Sequence, residues 1–527
     1  MQPAGERTSE VPDLAVVSAL VADGRYTAAC EAAALAAGRW SEPPVPLLAA
    51  WEEVAFAIRT GRLEAPRPEV IPLLPALERT LRRPAMSASE RATIAGAIAR
   101  QKAWHDPGGT LEEASRAVAM ARESGYESAL ITALYALHIA LEDPARIEER
   151  RTVSAELAEH CGASFDPAVR ATGHWRRLID ALAAGDSVDF DWRMQALETA
   201  ANESGQAYPR LTAAMARGCA DLMRGNYDAA QALLPAMREG YKQHSGLLTA
   251  AIVALTTMPG FERGRRSSGT SITQTVAKAR RLPAFRIAMA YMLATSGRSF
   301  EARHELAEIK LESLPRDSSL LPCLCMAIDL GAAHLEDRGL VAAAYDMLRP
   351  FETLMAVTGD AQSCWGPSAL YLAIGARMLG LNDEASHLGI AQRLSASFGA
   401  RPTLARTLLM RAGSEPSEEA AIAMRQEALQ IAERVRLAPL AAEARNALRP
   451  VLTRESRKRP TELSAREREV LAATARGLSA AEVGEALVLS PRTVAKHLEN
   501  AYARIGARTR AEAIAWAIQN GLVDGVE

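Results

Sequence analysis

For most of its length the chain places apolar residues three and four apart, and almost nowhere in strict alternation. Leu111, Ala114, Val118 and Ala121 form one such run. That spacing stripes one face of a helix and cannot line one face of a strand. From about residue 12 to 450 the sequence therefore predicts helix after helix, an all-α chain with few strands. Ala, Leu, Glu and Arg dominate, and aromatic residues make up only 5%. A chain of 527 residues, 49% of them apolar, exceeds what one core needs, so several domains or one long array are expected.

A loose repeat lies over the helical pattern. Gly24-Arg25-Tyr26-Thr27-Ala28, Gly225-Asn226-Tyr227-Asp228-Ala229, Gly297-Arg298-Ser299-Phe300-Glu301-Ala302 and Gly380-Leu381-Asn382-Asp383-Glu384-Ala385 share one scheme. Gly ends a helix in the left-handed conformation, an acid sits at the positive end of the next helix, and an Ala allows close approach. A related turn is expected at Asp337-Arg338-Gly339, and a further helix near Glu418-Glu419-Ala420. Helix pairs of this kind must stack on neighbours to bury their apolar faces. Residues 201–450 resemble degenerate tetratricopeptide repeats, and residues 12–200 do so more weakly. An irregular helical bundle is the alternative.

Ser41–Pro46 and Glu64–Pro68 carry the prolines that break helices. Residues 259–270, PGFERGRRSSGT, read as a solvated loop whose Arg263, Arg265 and Arg266 could touch a phosphate. Residues 451–461 are charged, contain Pro460 and lack apolar periodicity, so they read as a basic linker. The last domain then occupies 462–527.

Formal net charge is −2, so any nucleic-acid surface must be local. Residues 451–527 carry 12 Lys/Arg against 10 Asp/Glu, a modest excess, but Arg454, Arg457, Lys458 and Arg459 cluster in the linker. The six cysteines are scattered and form no CxxC pair, as expected for reduced thiols packed in helices. Cys323 and Cys325 are the one close pair, and simple packing is the expected reading. The start of the chain lacks a basic-then-apolar signal pattern, and no run of 18 apolar residues occurs. A cytoplasmic protein without a membrane span is expected.

Residues 462–527 carry the sharpest local signals. Ser464-Ala465-Arg466-Glu467, Ser479-Ala480-Ala481-Glu482 and Thr509-Arg510-Ala511-Glu512 are capping boxes. Ser490-Pro491 supplies another start, with Pro at the first helical position. Gly477, Gly506 and Gly521 stand where helices should stop. Four helices follow, near 465–476, 480–487, 491–505 and 510–520. The expected apolar faces are Val470, Leu471 and Thr474; Val483 and Leu487; Val494, Leu498, Tyr502 and Ile505; and Ile514, Trp516 and Ile518. Gly484 permits close helix contact, and Val488-Leu489 forms a short turn. The second and third helices then make a helix-turn-helix, whose second member enters the major groove.

Leu463, Arg466, Glu467, Glu469, Val470 and Leu471, then Gly477, Ser479 and Glu482, then Ser490, Thr493, Val494 and His497, then Arg504, Ile505, Arg510 and Ala513 fall in order. The segment resembles the LuxR/GerE-type DNA-binding domain in these positions, over about an eighth of the chain. Two positions depart: Ala495 stands where the family often has a basic residue, and Glu499 where it is often basic or polar. The resemblance implies DNA contacts from Ser479, Ser490, Arg492, Thr493, Lys496, His497, Glu499, Asn500 and Arg504. Phosphate contacts are expected from Arg457, Lys458 and Arg459, clustered in the linker, and from Arg508 and Arg510. Arg492, Lys496, Glu499 and residue 503 share one helical face. Arg492 and Lys496 suit phosphates or guanine edges, and Glu499 could accept from a cytosine amine. His497 is expected to face the core or backbone, and Trp516 to pack in the fourth helix.

The expected function is a sequence-specific transcription regulator acting on double-stranded DNA as a homodimer. The family's habit implies an activator, with RNA polymerase as a partner. Three familiar sensor types are missing: no GxxxxGK[ST] phosphate loop occurs, and neither a receiver domain nor a mixed α/β autoinducer domain is legible. The helical array is left as the site for a peptide, protein or small-molecule effector, and no residue can be named for it. Trp40, Trp51, Trp104, Trp175, Trp192 and Trp365 are pocket candidates that fit core packing better. No H-E-x-x-H, G-x-S-x-G, dinucleotide loop or metal-spaced Cys/His cluster supports an enzyme, so no catalytic residue, metal or cofactor is expected. Adjacent His160 and Cys161 point apart on a helix. The competing class is a helical scaffold with a vestigial DNA-binding module.

Overall fold

In a computed structural model the described residues are 12–58, 67–264, 283–458 and 463–523. Among the described residues the fold is all-α apart from one small hairpin, and the chain divides into two compact units, residues 1–442 and 443–527.

The larger unit is a helical repeat array. Helices Ala88–His105, Leu111–Ser124 and Glu127–Ala140 show the scheme: each packs on its sequence neighbour, and the first also packs on the third. The same neighbour-and-next-neighbour pattern recurs at Pro167–Ala183, Ser187–Ser204 and Ala207–Arg224, and at Leu320–Leu330, Arg338–Leu348 and Ser368–Leu379. Stacking of this kind buries one continuous stripe of each helix. Alanine supplies much of the contact: Ala29, Ala33, Ala133, Ala216, Ala230, Ala302, Ala344 and Ala376 are fully buried.

Gly24, Gly225, Gly297 and Gly380 all take positive φ, as the repeat scheme requires. The related turn differs. Glu336 is its left-handed residue (φ 50°), Asp337 caps the next helix by accepting from Leu340 N, and Gly339 is already helical. The expected alanine contacts also shift by a residue in places. Ala230, not Ala229, is buried, and Ala385 is exposed. Helix Glu418–Arg434 starts where expected, with Ser417 as its cap.

Two loop expectations are corrected. Residues 259–262 finish the helix Leu234–Glu262, and Arg263 pairs with Asp228 at 2.7 Å while its guanidinium lies over Tyr227. Arg265 and Arg266 fall outside the described residues. The expected linker is helical over 451–458, because the helix Ala438–Lys458 continues through it. The stretch 451–458 contains Leu452, Arg454, Glu455, Arg457 and Lys458, all good helix formers, and a helix can run on without apolar periodicity.

The hairpin went unseen in the sequence. Strands β1 (Met355–Thr358) and β2 (Ser363–Pro367) pair antiparallel, with Val357 opposite Cys364 and a bulge toward Met355. Its tip is buried among helices. Trp175 Nε1 donates to the Asp360 carbonyl at 3.2 Å, Arg176 Nη1 meets Asp360 Oδ1 at 2.6 Å, and Gln362 Nε2 donates to the Leu247 carbonyl at 2.7 Å. Arg176 is 1% exposed and stacks over Trp175 and Tyr135. A second buried carboxylate, Asp180, meets Arg150 at 2.6 Å and His138 at 3.0 Å. Such charges are tolerated inside only because they are matched.

All six cysteines are free and buried, and burial pushes the Cys30, Cys161 and Cys364 thiols up to about 12. They remain protonated packing groups. His160 turns to Glu127 at 2.7 Å, away from Cys161. Trp51 and Trp175 are core residues, Trp40 and Trp192 are exposed, and Trp104 and Trp365 line a cavity. Among the described residues no helix is long and apolar enough to cross a membrane.

Candidate nucleic-acid interface

Beyond the end of the helix Ala438–Lys458, the described residues of the smaller unit form the helices Ala465–Ala475, Ala480–Leu487, Pro491–Ile505 and Arg510–Gln519. Their starts follow from the caps. Ser464 and Glu467 form a complete capping box, as do Ser479 and Glu482. Ser490 accepts from Thr493 N at 3.1 Å, with Pro491 opening the helix. The fourth start is only half a box. Thr509 accepts from Glu512 N, but Glu512 accepts from Arg508 N instead of returning to Thr509. Gly477, Gly506 and Gly521 lie at positive φ beyond the helix ends.

Two small clusters hold the unit together. Val470, Val483 and Val494 are fully buried where the first three helices meet, and Leu471, Ala501, Ala513 and Ala517 join the first, third and fourth. The expected face of the fourth helix needs correction. Residues 514, 516 and 518 advance by two, which on a helix turns each side chain about 200°. Ala513 and Ala517 are the buried pair, Ile514 and Trp516 are half-buried, and Ile518 is 44% exposed.

The turn between the second and third helices is tight. Val488 is left-handed (φ 55°) and 90% exposed. A β-branched residue is strained there. The turn brings the Leu489 carbonyl over Gly484, where an added Cβ would stand 2.6 Å from that oxygen. Gly484 therefore lets the backbone of the turn approach, more than it lets two helices touch.

Several residues of the ordered motif act inside the unit. Glu467 is 3% exposed; its carboxylate accepts from Ser464 N at 2.8 Å and from Arg504 Nη1 at 2.5 Å, tying the first helix to the third. Burial works to raise the Glu467 pKa, but the Ser464 hydrogen bonds and the charges of Arg504 and His497 outweigh it and lower it. Arg466 donates to the Leu487 carbonyl, and Arg510 to the Leu478 carbonyl at 3.0 Å, so each closes a helix end on another helix. The structure thus turns Arg504 and Arg510 toward protein partners, and His497 is half-buried near Glu467. Arg457, Lys458 and Arg459 lie outside the residues whose side chains are described.

What is left on the third helix is a solvent-facing strip. Arg492, Thr493, Ala495, Lys496, Glu499, Asn500 and Ala503 are exposed, while Val494 and Ala501 are buried on the opposite side. Lys496 Nζ and Glu499 Oε2 pair across this strip at 2.7 Å. Ser479, Ser490 and Arg508 are exposed at helix starts, where Ser479 and Ser490 serve as caps. A buried valine-alanine seam behind an exposed polar strip, held at a fixed angle by a tight turn, is the geometry of a helix-turn-helix.

The family described as GerE, bacterial regulatory proteins, luxR family, matches residues 461–517, a span that covers all four helix starts. The C-terminal unit carries a LuxR-family domain. Relatives of this LuxR-family domain include the transcriptional activator protein BjaR1 of Bradyrhizobium diazoefficiens, 41% identical over 64 residues. The transcriptional activator protein SolR of Ralstonia nicotianae is 43% identical over 61 residues, and SolR of Ralstonia solanacearum 41% identical over 61. Each match covers 12% of this chain and 26% of the relative, so the likeness is confined to the LuxR-family domain.

Proposed function

We propose that the chain is a sequence-specific DNA-binding transcription activator whose helical array binds an effector or partner that controls the LuxR-family domain. The observation that carries this reading is the exposed strip of the third helix, backed by a rigid seam. In this reading that helix lies in the major groove. Arg492, Thr493, Lys496, Glu499 and Asn500 face base edges, and the helix-start residues Ser479, Ser490 and Arg508 face phosphates. Arg457, Lys458 and Arg459 add backbone contacts that position the domain without reading sequence. Arg504, Arg510 and His497 act through the fold by fixing the angle of the third helix. The relatives BjaR1 and SolR are transcriptional activators, which supports this sign of regulation. A homodimer on DNA and contact with RNA polymerase belong to the same proposal.

Selection of genomic fragments by the full-length chain near 150 mM salt tests it. Enrichment of one inverted repeat supports a dimeric, sequence-specific regulator. Weak retention of all fragments alike would favour a helical scaffold with a vestigial DNA module.

A further inference from the structure

The first helices of the larger unit pack onto helices that come much later in the chain. Tyr208 N donates to the Tyr26 hydroxyl at 3.4 Å, Thr27 Oγ1 donates to Gln243 Oε1 at 2.6 Å, and His244 Nδ1 meets the Ala57 carbonyl at 2.7 Å. Beside these contacts, and within the larger unit, lies a half-open pocket of about 630 Å³. Small-molecule sites span about 300–1,000 Å³. The walls mix apolar and polar groups. Val17 and Ser18 come from the helix Pro12–Ala22, Glu53 and Val54 from Val45–Ala57, Tyr135 from Glu127–Ala140 and Thr172 from Pro167–Ala183.

Two opposite charges line this pocket without pairing. Arg100 spends Nε, at 3.1 Å, and Nη2 on Glu52, which is 1% exposed, and its Nη1 donates to none of the described residues. Glu53, next to Glu52 in sequence, is open to the pocket and forms no hydrogen bond or ion pair among the described residues. Desolvation by the surrounding protein raises its pKa, and the charges of Glu52 and Asp166 add to the rise against the pull of Arg100. Asp166 also lines the pocket, and its Oδ1 accepts from Ala168 N at 2.8 Å as a helix cap. Glu52 already matches Arg100, so Glu53 and Asp166 leave the pocket with an excess of negative charge. A cationic donor suits Glu53, and a neutral acceptor suits Arg100 Nη1, while a free carboxylate is repelled and loses its water. An α-ammonium and its amide carbonyl, held one carbon apart, supply that donor and acceptor in few atoms.

We propose that this pocket binds a free α-ammonium group together with its neighbouring carbonyl, as in an amino-acid amide or the first residue of a short peptide. The ammonium meets Glu53, the carbonyl accepts from Arg100 Nη1, and an apolar side chain lies against Val17 and Val54. Its role as the effector site rests on the regulator reading above; its existence as a binding site does not.

The test titrates the full-length chain calorimetrically with L-leucyl-L-leucinamide, its N-acetyl derivative, L-leucinamide and 3-methylbutylamine. The dipeptide amide is expected to bind once per chain, and the acetylated form at least tenfold more weakly, because its charge is gone. The bare amine, which lacks the carbonyl, is expected to bind about tenfold more weakly than leucinamide. Dipeptide binding tighter than leucinamide binding identifies a peptide as the source of the group, and equal binding identifies an amino-acid amide. Glu53→Gln should weaken the dipeptide amide at least tenfold and leave little difference from the acetylated form. Filling the pocket from opposite walls, with Ser18→Trp or, independently, Thr172→Trp, should abolish binding while the cooperative unfolding transition is kept. No heat from either amide, equal binding of the acetylated form, no effect of Glu53→Gln, or binding that survives both filled variants overturns the proposal. A DNA-binding assay with the dipeptide amide separates the two readings. Unchanged affinity for the selected DNA, with the amide bound, would refute the effector role and leave the site; failure to select any DNA would count against the regulator reading alone.

Discussion

Glu467 and Arg504 meet at 2.5 Å across 37 residues of sequence, and the carboxylate in this pair is almost fully buried. The same carboxylate closes the capping box at Ser464. One side chain thus starts the first helix and fixes the third. Glu467→Gln is expected to lower stability by about 1–2 kcal/mol, because a charged acceptor is lost while Arg504 remains. The pH dependence has a definite sign. A carboxyl with a depressed folded pKa contributes its full stability above the unfolded value, near 4.3, and loses it as pH falls through the folded value. The gap between wild type and Glu467→Gln should therefore be largest near pH 7 and shrink toward pH 3 in calorimetric unfolding. A constant gap would contradict this account of the pair.

Gly484→Ala tests the tight turn. Its methyl would face the Leu489 carbonyl at 2.6 Å, and a backbone atom cannot swing aside as a side chain can. Loss of DNA binding is expected, with a lowered melting temperature. Val488 gives the converse test. Replacing it by Asn, which tolerates the left-handed region, should stabilise the chain by about 1 kcal/mol, because the side chain is exposed and makes no compensating core contact. Thermal unfolding of the two variants should move in opposite directions.

The hairpin tip is held by charge. Arg176→Met would leave Asp360 buried without its 2.6 Å guanidinium partner, at a cost of about 3–5 kcal/mol. Proteolysis or hydrogen exchange should then show 355–367 opening first. Protection there equal to wild type would mean that Gln362 and the Trp175 contact suffice.

The legible parts of the chain were those written locally. Ser464, Ser479, Ser490 and Thr509 marked helix starts, and Gly477 and Gly506 marked stops, so the first three C-terminal helices fell within a residue of expectation. The fourth was placed, but its face was misread, since Ile514, Trp516 and Ile518 drew attention by size while Ala513 and Ala517 did the packing. The hairpin was hidden because its strands have four and five residues and its order comes from Arg176 and Leu247, far away in sequence. The cavity was hidden for the same reason: Trp104 and Trp365, which both line it, lie far apart in sequence. Arg504 and Arg510 were visible as motif positions, but nothing local revealed that they pair with Glu467 and the Leu478 carbonyl.

Glu499 stands on the exposed strip as a carboxylate paired with Lys496. Glu499→Gln should strengthen binding to unrelated DNA, since a charge that repels phosphate is gone and Lys496 is released. Discrimination between the selected site and unrelated duplex should fall, as a group able to accept from cytosine has been lost. Competition with unrelated duplex measures both at once.

The central claim is that the exposed face of the third helix reads DNA, and the most direct measurement compares Arg492→Ala with wild type on the selected duplex and on a scrambled one, across a salt series. The account predicts that Arg492→Ala weakens the selected duplex by about 1–3 kcal/mol and narrows its margin over the scrambled duplex. Unchanged affinity for both duplexes, with the fold intact, would contradict it.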